Sequence, residues 1–559
     1  MTKIIFSLIL LAAGPAAAQV AQINAFRVNS GMQALSAEQA AASLSAIPEP
    51  ALEDLEEKGI ADPKKIGDKI IHLITRHPKA MHLVEYPIFK LMGFAHKHGK
   101  LQPTIEYVLR SPLMAKFLPP LPPAKREDYI RKFPRMIAAQ LEGGGYVRGT
   151  EGFEDWDKMS ARHIDIMKAS RYKAVAKGPS LFENSGYLAE MEAVTGVPFK
   201  AGHSVTPLIN GPASFAARER LMRSATKSIY LATWGYYDDL TGQLTRDLLI
   251  AKKKEGLDVR VLVDGNISNF IGMESLKLLA DNGVQVGRFW DPARQYDGMH
   301  AKVLVIDGES AITGGMNIGD KYSHLNPDAH KWRDTDALFA GPAVAEAHKI
   351  FSETWNGVAA SQGLTPMETS VAAPSAGGVK AALVYQRADR EPAIYLSLLK
   401  AIYGATSSIN IENAYFVTIP SLKTALTEAI ERGVKVTILT NSAQSNNEPI
   451  LTSFILESLA EMNQAGAEVY AKTGETLHSK FMTVDGVFAT VGSYNFHPKS
   501  IRHEREVTLH VLDRQFAGQM EAAFAADIAQ AARITDPAEL GLTDNPLNYL
   551  ARRYMFDQL

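Results

Sequence analysis

Residues 299–317 read MHAKVLVIDGESAITGGMN, and residues 477–495 read LHSKFMTVDGVFATVGSYN. Both stretches follow one pattern, His-x-Lys-x4-Asp-x6-Gly-x2-Asn, with identical spacing. A single histidine on an apolar strand is usually a core residue, but two equally spaced copies of the whole pattern are very hard to obtain by chance. The pattern therefore predicts a functional site built from two copies of one structural element.

The rest of the sequence shows that the repeat is larger than this motif. The segment ATKSIYL at 225–231 returns as ATSSINI at 405–411, and EGLDVRVLVD at 255–264 returns as RGVKVTILTN at 432–441. Each half alternates helical patterns with short buried strands, the third of which leads into the motif. The alternation predicts an α/β fold with two mixed-sheet halves, preceded by a mostly helical N-terminal region.

The chain begins with the features of a secretory leader. Lys3, an apolar run over 4–13 and the small residues Ala16-Ala17-Ala18 predict cleavage before Gln19. The apolar run is about half of the ~20 residues that a membrane span requires, so we expect an exported protein, periplasmic or secreted. The predicted divisions are 1–18 signal peptide, 19–200 helical region of unknown role, 201–364 first half, 365–378 linker, 379–535 second half and 536–559 tail.

Composition narrows the classes of protein. The 559 residues are 46% hydrophobic and 21% charged, which predicts a folded chain of about two to four packed units. A net charge of -2 does not favour nucleic acid as a partner. The absence of cysteine excludes disulfides, thiolate zinc sites and a cysteine nucleophile. His96 and His98 have no partner at a recognisable ligand spacing, so neither a metal nor a cofactor is predicted.

Strand geometry predicts which motif residues meet. Side chains alternate along a strand, so His300 and Lys302 should share one face. Asp307-Gly308 has the composition of a tight hairpin turn, which would bring Asn317 back toward the histidine. The second copy repeats this arrangement with its own catalytic set, which is His478, Lys480 and Asn495. The turn aspartates lie an odd number of residues from their histidines and are predicted to be structural; they are Asp307 and Asp485.

Two such residue sets suit displacement at a phosphodiester. A neutral imidazole can attack phosphorus and form a covalent phosphohistidine, while a protonated imidazole on the opposite side gives its proton to the leaving alkoxide. The lysines and asparagines would donate hydrogen bonds and positive charge to the oxygens that become more negative in the transition state. This chemistry requires no metal.

The paired motifs resemble those of the phospholipase D superfamily, which carries them on two pseudo-twofold-related α/β halves packed together. The flanking segments GGMNIGDKY, WRDTDALFAGPAV and GSYNFHPKS are most similar to the bacterial cardiolipin synthase branch. The resemblance implies phosphatidyl transfer or phospholipid hydrolysis, a phospholipid substrate and a peripheral membrane surface. It also implies that Asp334 orients His300, the nucleophile, and that Glu506 orients His478, the acid.

Two other functions are compatible with the motifs. One is an exported phosphodiesterase acting on nucleic acid, and the other is a binding protein whose active site is a relic. Intact residues in both copies disfavour the relic, and the segments around each motif disfavour the nuclease. The sequence leaves open the choice between hydrolysis and transfer, the headgroup and acceptor, and the oligomeric state.

Overall fold

The computed structural model describes residues 62–77, 81, 84–141, 156–292, 294, 297–542, 546–554 and 556–558. The chain divides into two compact units. The smaller comprises Met1–Asp155, Glu448–Ser453 and Gly541–Leu559, and the larger comprises Trp156–Asn447 and Phe454–Leu540. The predicted signal peptide, residues 1–18, lies outside the described residues.

Helices form the described N-terminal part of the smaller unit. They are α1 Pro63–Arg76, α2 Glu85–Lys97, α3 Leu101–Arg110 and α4 Pro123–Leu141. Helix α1 starts where the Asp62 carboxylate accepts a hydrogen bond from the Lys64 amide, and it buries Ile66, Ile70 and Ile74 along one face. The predicted helical character of this region is confirmed. Within the described ranges, no helix has both the length and the apolar character needed to cross a membrane.

The larger unit starts earlier than the predicted first half. Its first helices are α5 Trp156–Lys168 and α6 Ser185–Thr195. In α6, the buried Tyr187 donates its hydroxyl hydrogen bond to the carbonyl oxygen of Lys400, and Glu190 forms an ion pair with the Lys400 ammonium group. Lys168 in α5 likewise forms an ion pair with Glu428 of the second half. Because these contacts tie both helices to the second half, the compact unit begins at Trp156, whereas the sequence predicts a boundary at 201.

The two halves have similar orders of elements. The first contains β1 Lys200–Ile209, α7 Asn210–Ser224, β2 Ser228–Thr233, α8 Leu240–Lys254, β3 Asp258–Asp264, α9 Met273–Asp281, β4 Gln285–Phe289, β5 Gly298–Met299, β6 Val303–Ile306, β7 Ser310–Gly314, α10 Asp320–Ser323, β8 Trp332–Arg333, β9 Thr335–Ala340 and α11 Ala343–Ala359. The second contains β10 Val379–Gln386, α12 Ala393–Gly404, β11 Ser408–Asn413, α13 Pro420–Glu431, β12 Lys435–Asn441, α14 Thr452–Gln464, β13 Glu468–Lys472, β14 Thr476–Leu477, β15 Lys480–Val484, β16 Phe488–Gly492, α15 Pro498–Arg502, β17 Glu504–Leu512, α16 Arg514–Ile528 and β18 Ala531–Ile534. Helix α17 Pro546–Tyr554 follows in the smaller unit.

One continuous mixed sheet runs through both halves. Its order is β18-β13-β12-β11-β15-β16-β17-β10-β1-β9-β7-β6-β2-β3-β4. The halves join where β1 pairs antiparallel with β10. Each half has three parallel strands, β2-β3-β4 or β11-β12-β13, next to its antiparallel motif hairpin. The predicted pair of mixed-sheet halves is confirmed, and the predicted linker, residues 365–378, lies between α11 and β10.

Two short strands cross from one half to the other. Strand β5 runs parallel to β17, with Met299 opposite Arg505. Strand β14 runs parallel to β8, with Leu477 opposite Arg333. Each motif histidine comes directly after one of these crossing strands, so the crossings decide which side chains surround it.

Candidate active site

The two motif histidines lie between strands and not within them. His300 follows β5 and precedes β6, and His478 lies between β14 and β15. The expectation that His300 and Lys302 sit on one strand is therefore corrected, because β6 begins only at Val303. The lysine still reaches the histidine: the Nζ of Lys302 donates a hydrogen bond of 2.5 Å to the His300 carbonyl oxygen. Lys480 makes the same contact with the His478 carbonyl oxygen.

The motif aspartates occupy the hairpin turns. Asp307 and Asp485 have left-handed φ angles of 56° and 54°. The Asp307 carboxylate accepts hydrogen bonds from the backbone N–H groups of Thr226, Lys227 and Ser228 at 2.8–2.9 Å. Asp485 accepts equivalent bonds from the segment before β11. Both carboxylates thus hold the start of a strand, as their structural interpretation requires, and they contact the repeated ATKSIYL and ATSSINI segments.

The orienting acids are exchanged relative to the prediction. The Nδ1 of His300 lies 3.0 Å from each carboxylate oxygen of Glu506, and the Nδ1 of His478 lies 2.7 Å from Oδ2 of Asp334. The expected pairs, Asp334 with His300 and Glu506 with His478, are wrong, although both acids do contact an imidazole. Each histidine is held by a carboxylate from the opposite half.

Strand register causes this exchange. Because Met299 lies opposite Arg505 in the parallel pairing of β5 with β17, the residues that follow them, His300 and Glu506, meet. The residue after β14 and the residue after β8 meet in the same way. The two crossings therefore create two equivalent histidine–carboxylate pairs between the halves.

The carboxylate beside His300 is buried within a polar cluster. The Ser493 and Ser500 hydroxyls both donate hydrogen bonds to Glu506, and Glu504 lies 3.9 Å from the His300 Nδ1. Burial and the charge of Glu504 raise the pKa of Glu506 well above its usual range. Strand β17 therefore places two acidic side chains near the His300 Nδ1: Glu506 in contact with it, and Glu504 farther away.

The carboxylate beside His478 has a different environment. Asp334 is fully buried, accepts a hydrogen bond from the Thr335 amide at 2.7 Å, and has its pKa raised to about 7 by burial. The Nζ of Lys480 lies 2.9 Å from the His478 Nδ1. A lysine, and not a second carboxylate, therefore accompanies this pair.

Burial changes the ionisation of both lysines and both histidines. It lowers the pKa of Lys302 to about 8 and that of Lys480 to about 7. Burial, followed by the charge of the motif lysine, lowers the pKa of His300 and of His478 well below the usual value. The charges of Lys302 and His300 in the first motif also lower the pKa of His478 in the second. A neutral imidazole that donates Nδ1–H to a carboxylate carries its lone pair on Nε2.

The two motif asparagines differ. Asn317 accepts hydrogen bonds from the Thr233 hydroxyl and the Gly235 amide through Oδ1, and its Nδ2 donates to the Tyr322 hydroxyl at 2.8 Å. Asn495 is buried, and its Oδ1 has no hydrogen-bond partner within the described ranges. Asn317 is thus partly used in holding the loop after β2.

Aromatic rings around the histidines were missed by the sequence reasoning. The Trp234 ring lies 6.1 Å from that of His300, and the rings of Tyr322 and Trp332 lie 5.3 and 5.1 Å from that of His478. Tyr322 and Trp332 belong to the quoted segments GGMNIGDKY and WRDTDALFAGPAV, but no spacing rule connects them to a histidine. These rings contribute to the burial of the two imidazoles.

A third histidine also reaches the site. His497 is buried, accepts the Ser500 amide hydrogen bond through Nδ1, and places Nε2 4.0 Å from Glu504. Burial lowers its pKa to about 4. The segment GSYNFHPKS contained this residue, yet only its position next to Glu504 identifies it.

One group within the described ranges has the spacing of a metal site. Ligand atoms of His300, Glu504 and Glu506 lie within 4.8 Å of one another. Glu506 already contacts the His300 ring and two serine hydroxyls, and the nearby Lys302 adds positive charge. The absence of a metal requirement stays a prediction.

Comparison with known proteins adds independent findings. A family model described as "Cardiolipin synthase, PLD-like domain" matches residues 219–355 and 398–528, which contain both motifs. Cardiolipin synthase A of Pseudomonas putida (strain GB-1) is 32% identical over 359 residues, covering 63% of this chain and 74% of that protein. Cardiolipin synthase A of Pseudomonas syringae pv. syringae (strain B728a) is 31% identical over 409 residues, covering 72% and 82%.

A solved structure shows a similar fold. The phosphatidylserine synthase of Haemophilus influenzae Rd KW20 superposes with a TM-score of 0.54 at 16% identity, over 66% of this chain and 97% of that one. At this identity the likeness concerns the fold alone.

Proposed function

The chain belongs to the phospholipase D superfamily, in its cardiolipin synthase branch, and on this basis we propose that it is a phosphatidyltransferase acting on phospholipid phosphodiesters. The observation that carries the proposal is the pair of buried imidazoles, each held at Nδ1 by a carboxylate of the other half. Both halves are needed to complete either pair. The site thereby provides two imidazoles with defined roles for one phosphorus centre.

The first step uses His300 as the nucleophile. Its Nε2 lone pair attacks phosphorus, the bond from phosphorus to the leaving alcohol breaks, and a phosphatidyl–histidine forms. His478 is protonated at Nε2 in the substrate complex and gives that proton to the leaving alkoxide. Binding of the phosphodiester anion raises the histidine pKa values, because a nearby negative charge favours the imidazolium.

The second step reverses these roles. The acceptor hydroxyl gives its proton to the now neutral His478 while its oxygen attacks phosphorus, and the bond to His300 breaks. Lys302 and Lys480 stabilise the negative charge on the phosphoryl oxygens in both steps. A phospholipid hydroxyl as acceptor yields a diphosphatidyl product, and water yields phosphatidic acid.

Mass spectrometry of the reaction products tests the proposal. Purified protein is incubated with phosphatidylglycerol, with and without a primary alcohol, and His300→Ala serves as the control. We expect cardiolipin and free glycerol, and a phosphatidyl–alcohol when alcohol is added. Degradation of plasmid DNA without turnover of any phospholipid would instead support the nuclease alternative.

Export and membrane association belong to the same proposal. The leader predicted over residues 1–18 would deliver the mature protein to the periplasm or the medium, next to a phospholipid surface. N-terminal sequencing of the mature protein should start at Gln19. A full-length N-terminus recovered from the cytoplasm would contradict export without affecting the reaction.

A further inference from the structure

Exposed apolar side chains concentrate at one edge of the first half. Of the nine large hydrophobic side chains that stay exposed within the described ranges, six lie in segments that follow β2, β3, β4 or the first motif. We name these six the apolar rim: Leu240 (43% exposed), Leu244 (52%), Phe270 (82%), Met273 (58%), Trp290 (49%) and Leu325 (50%). Since β2, β3 and β4 are parallel, the segments that follow them meet at one edge of the sheet.

Hydrogen bonds tie these segments to one another. Asp238, two residues before Leu240, accepts hydrogen bonds from the Glu274 and Ser275 amides at the start of α9, beside Met273. The amide of Gly265, at the end of β3, donates to the carbonyl oxygen of the residue before Trp290 at 2.8 Å. Hydrogen bonds therefore connect the segments that contain the residues of the apolar rim.

Another contact brings Leu325 to the same edge. Asp320 accepts hydrogen bonds from the Thr241 amide and hydroxyl at 2.8 and 2.7 Å, and its own amide donates to Asp239. The segment that leads from the first motif to Leu325 is thus fixed to the start of α8, where Leu240 and Leu244 are exposed.

The same loops form one wall of the active site. Trp234, at the end of β2, faces the His300 ring, and Gly235 donates its amide hydrogen bond to Asn317. Asp264, at the end of β3, accepts a hydrogen bond from the amide of Met299, the residue before His300. Side chains exposed at this edge therefore lie on segments that also contact His300, Asn317 and Met299.

We propose that the apolar rim inserts into the surface of a phospholipid bilayer and so delivers the phosphodiester of a membrane lipid to His300 and His478. Aromatic and aliphatic side chains of this kind partition into the boundary between headgroups and acyl chains. The Lys321 ammonium lies over the rings of Tyr237 and Trp332 at 4.4 and 4.1 Å, so a cation that suits lipid phosphates is present at the same edge. This inference rests on the proposed phosphatidyltransferase function and names the surface that serves it.

The test compares two double variants of the whole chain. Phe270→Ser with Met273→Ser alters the rim, and Ile166→Ser with Val175→Ser removes exposed apolar side chains elsewhere in the larger unit. Both variants change only exposed side chains, and thermal unfolding checks that each is folded. Measurements are flotation with phosphatidylglycerol–phosphatidylethanolamine vesicles, turnover on those vesicles, and turnover on dihexanoyl phosphatidylglycerol below its critical micelle concentration.

We expect the rim variant to bind vesicles about tenfold or more weakly and to lose vesicle turnover by a similar factor. Its turnover on the monomeric lipid should stay within about twofold of wild type, and the control variant should match wild type throughout. Unchanged vesicle binding by the rim variant would overturn the proposal. The proposal would also be overturned if wild type were a dimer and the rim variant a monomer with unchanged vesicle binding. That result would show that the rim forms a contact between two copies of the chain.

The outcomes separate this inference from the proposed function. A wild-type protein that binds vesicles through the rim but turns over no phospholipid would refute the phosphatidyltransferase proposal while supporting the docking surface. Turnover of both lipids with no effect of the rim variant would support the phosphatidyltransferase proposal and refute the docking surface.

Discussion

The Nδ1 of His300 lies 3.0 Å from the carboxylate of Glu506, which belongs to the opposite half of the molecule. The matching pair, His478 with Asp334, crosses between the halves in the other direction. Neither half alone contains a complete histidine–carboxylate pair, so the site exists only where β5 reaches β17 and β14 reaches β8. The catalytic unit is therefore the complete two-half sheet.

Substitution of the turn aspartate separates a structural carboxylate from an orienting one. Asp307→Asn keeps an oxygen acceptor and a residue that tolerates left-handed φ, but it loses charged hydrogen bonds to three backbone amides. We expect a loss of about 1–2 kcal/mol of unfolding free energy and nearly unchanged turnover by the folded protein. Asp334→Asn should lower turnover by roughly 10²–10⁴-fold. A larger loss of turnover in Asp307→Asn would show that the turn carboxylate acts in catalysis.

The two histidines should act as one unit. His300→Ala and His478→Ala should each lower turnover by about 10³-fold or more, because each step needs both the nucleophile and the proton donor. The double variant should be little worse than either single variant. Turnover measured on the monomeric lipid checks this, and losses that multiply in the double variant would contradict a concerted pair.

The pKa values of the lysines set an alkaline limit to activity. Burial lowers the pKa of Lys480 to about 7 and that of Lys302 to about 8, so both lose positive charge as the pH rises through those values. Since a phosphodiester anion binds the charged form, kcat/KM should fall more steeply above about pH 7–8, beyond the loss that deprotonation of His478 already causes at lower pH. A pH profile on the monomeric lipid measures this. In Lys480→Arg, kcat/KM should decline less steeply at alkaline pH, even if the maximum kcat/KM is lower, because arginine stays charged. A profile that stays level to about pH 10 would be inconsistent with these pKa values.

Chelation tests whether His300, Glu504 and Glu506 hold a metal. We expect EDTA to leave turnover unchanged, since the lysines supply the charge that stabilises the phosphoryl oxygens and Glu506 is already occupied by the His300 ring and two serines. Metal analysis of the purified protein accompanies the assay. Loss of activity with EDTA, restored by a divalent cation, would replace the two-histidine mechanism with a metal-assisted one.

Local patterns in the sequence predicted most of the architecture. The repeated stretches identify β2 and β11 as equivalent strands of the two halves, and the two motif hairpins as equivalent to each other. Such local elements follow from hydrophobic periodicity and turn residues. The structural role assigned to Asp307 and Asp485 likewise follows from their odd spacing from the motif histidines and from the Asp-Gly composition of the turns.

The pairing of acids with histidines could not be predicted in this way. Asp334 and Glu506 were identified from their segments, but their partners depend on the register of β5 with β17 and of β8 with β14, which join residues far apart in the chain. The position of Tyr322 beside His478 depends on the crossing of β14 with β8, whereas His497 and Glu504 lie close together in the sequence of the second half. Contacts between a segment of one half and a segment of the other leave no characteristic residue spacing in the sequence of either half.

Histidine ring ¹⁵N NMR of Asp334→Asn tests the crossed pairing most directly. Resonances are assigned with His300→Gln and His478→Gln variants, and Glu506→Gln provides the reciprocal comparison. The structure predicts that Asp334→Asn changes the tautomer of His478 and leaves His300 as in wild type, because only His478 donates its Nδ1–H to Asp334. A change of tautomer at His300 with His478 unaffected would contradict the crossed arrangement and return each acid to the histidine of its own half.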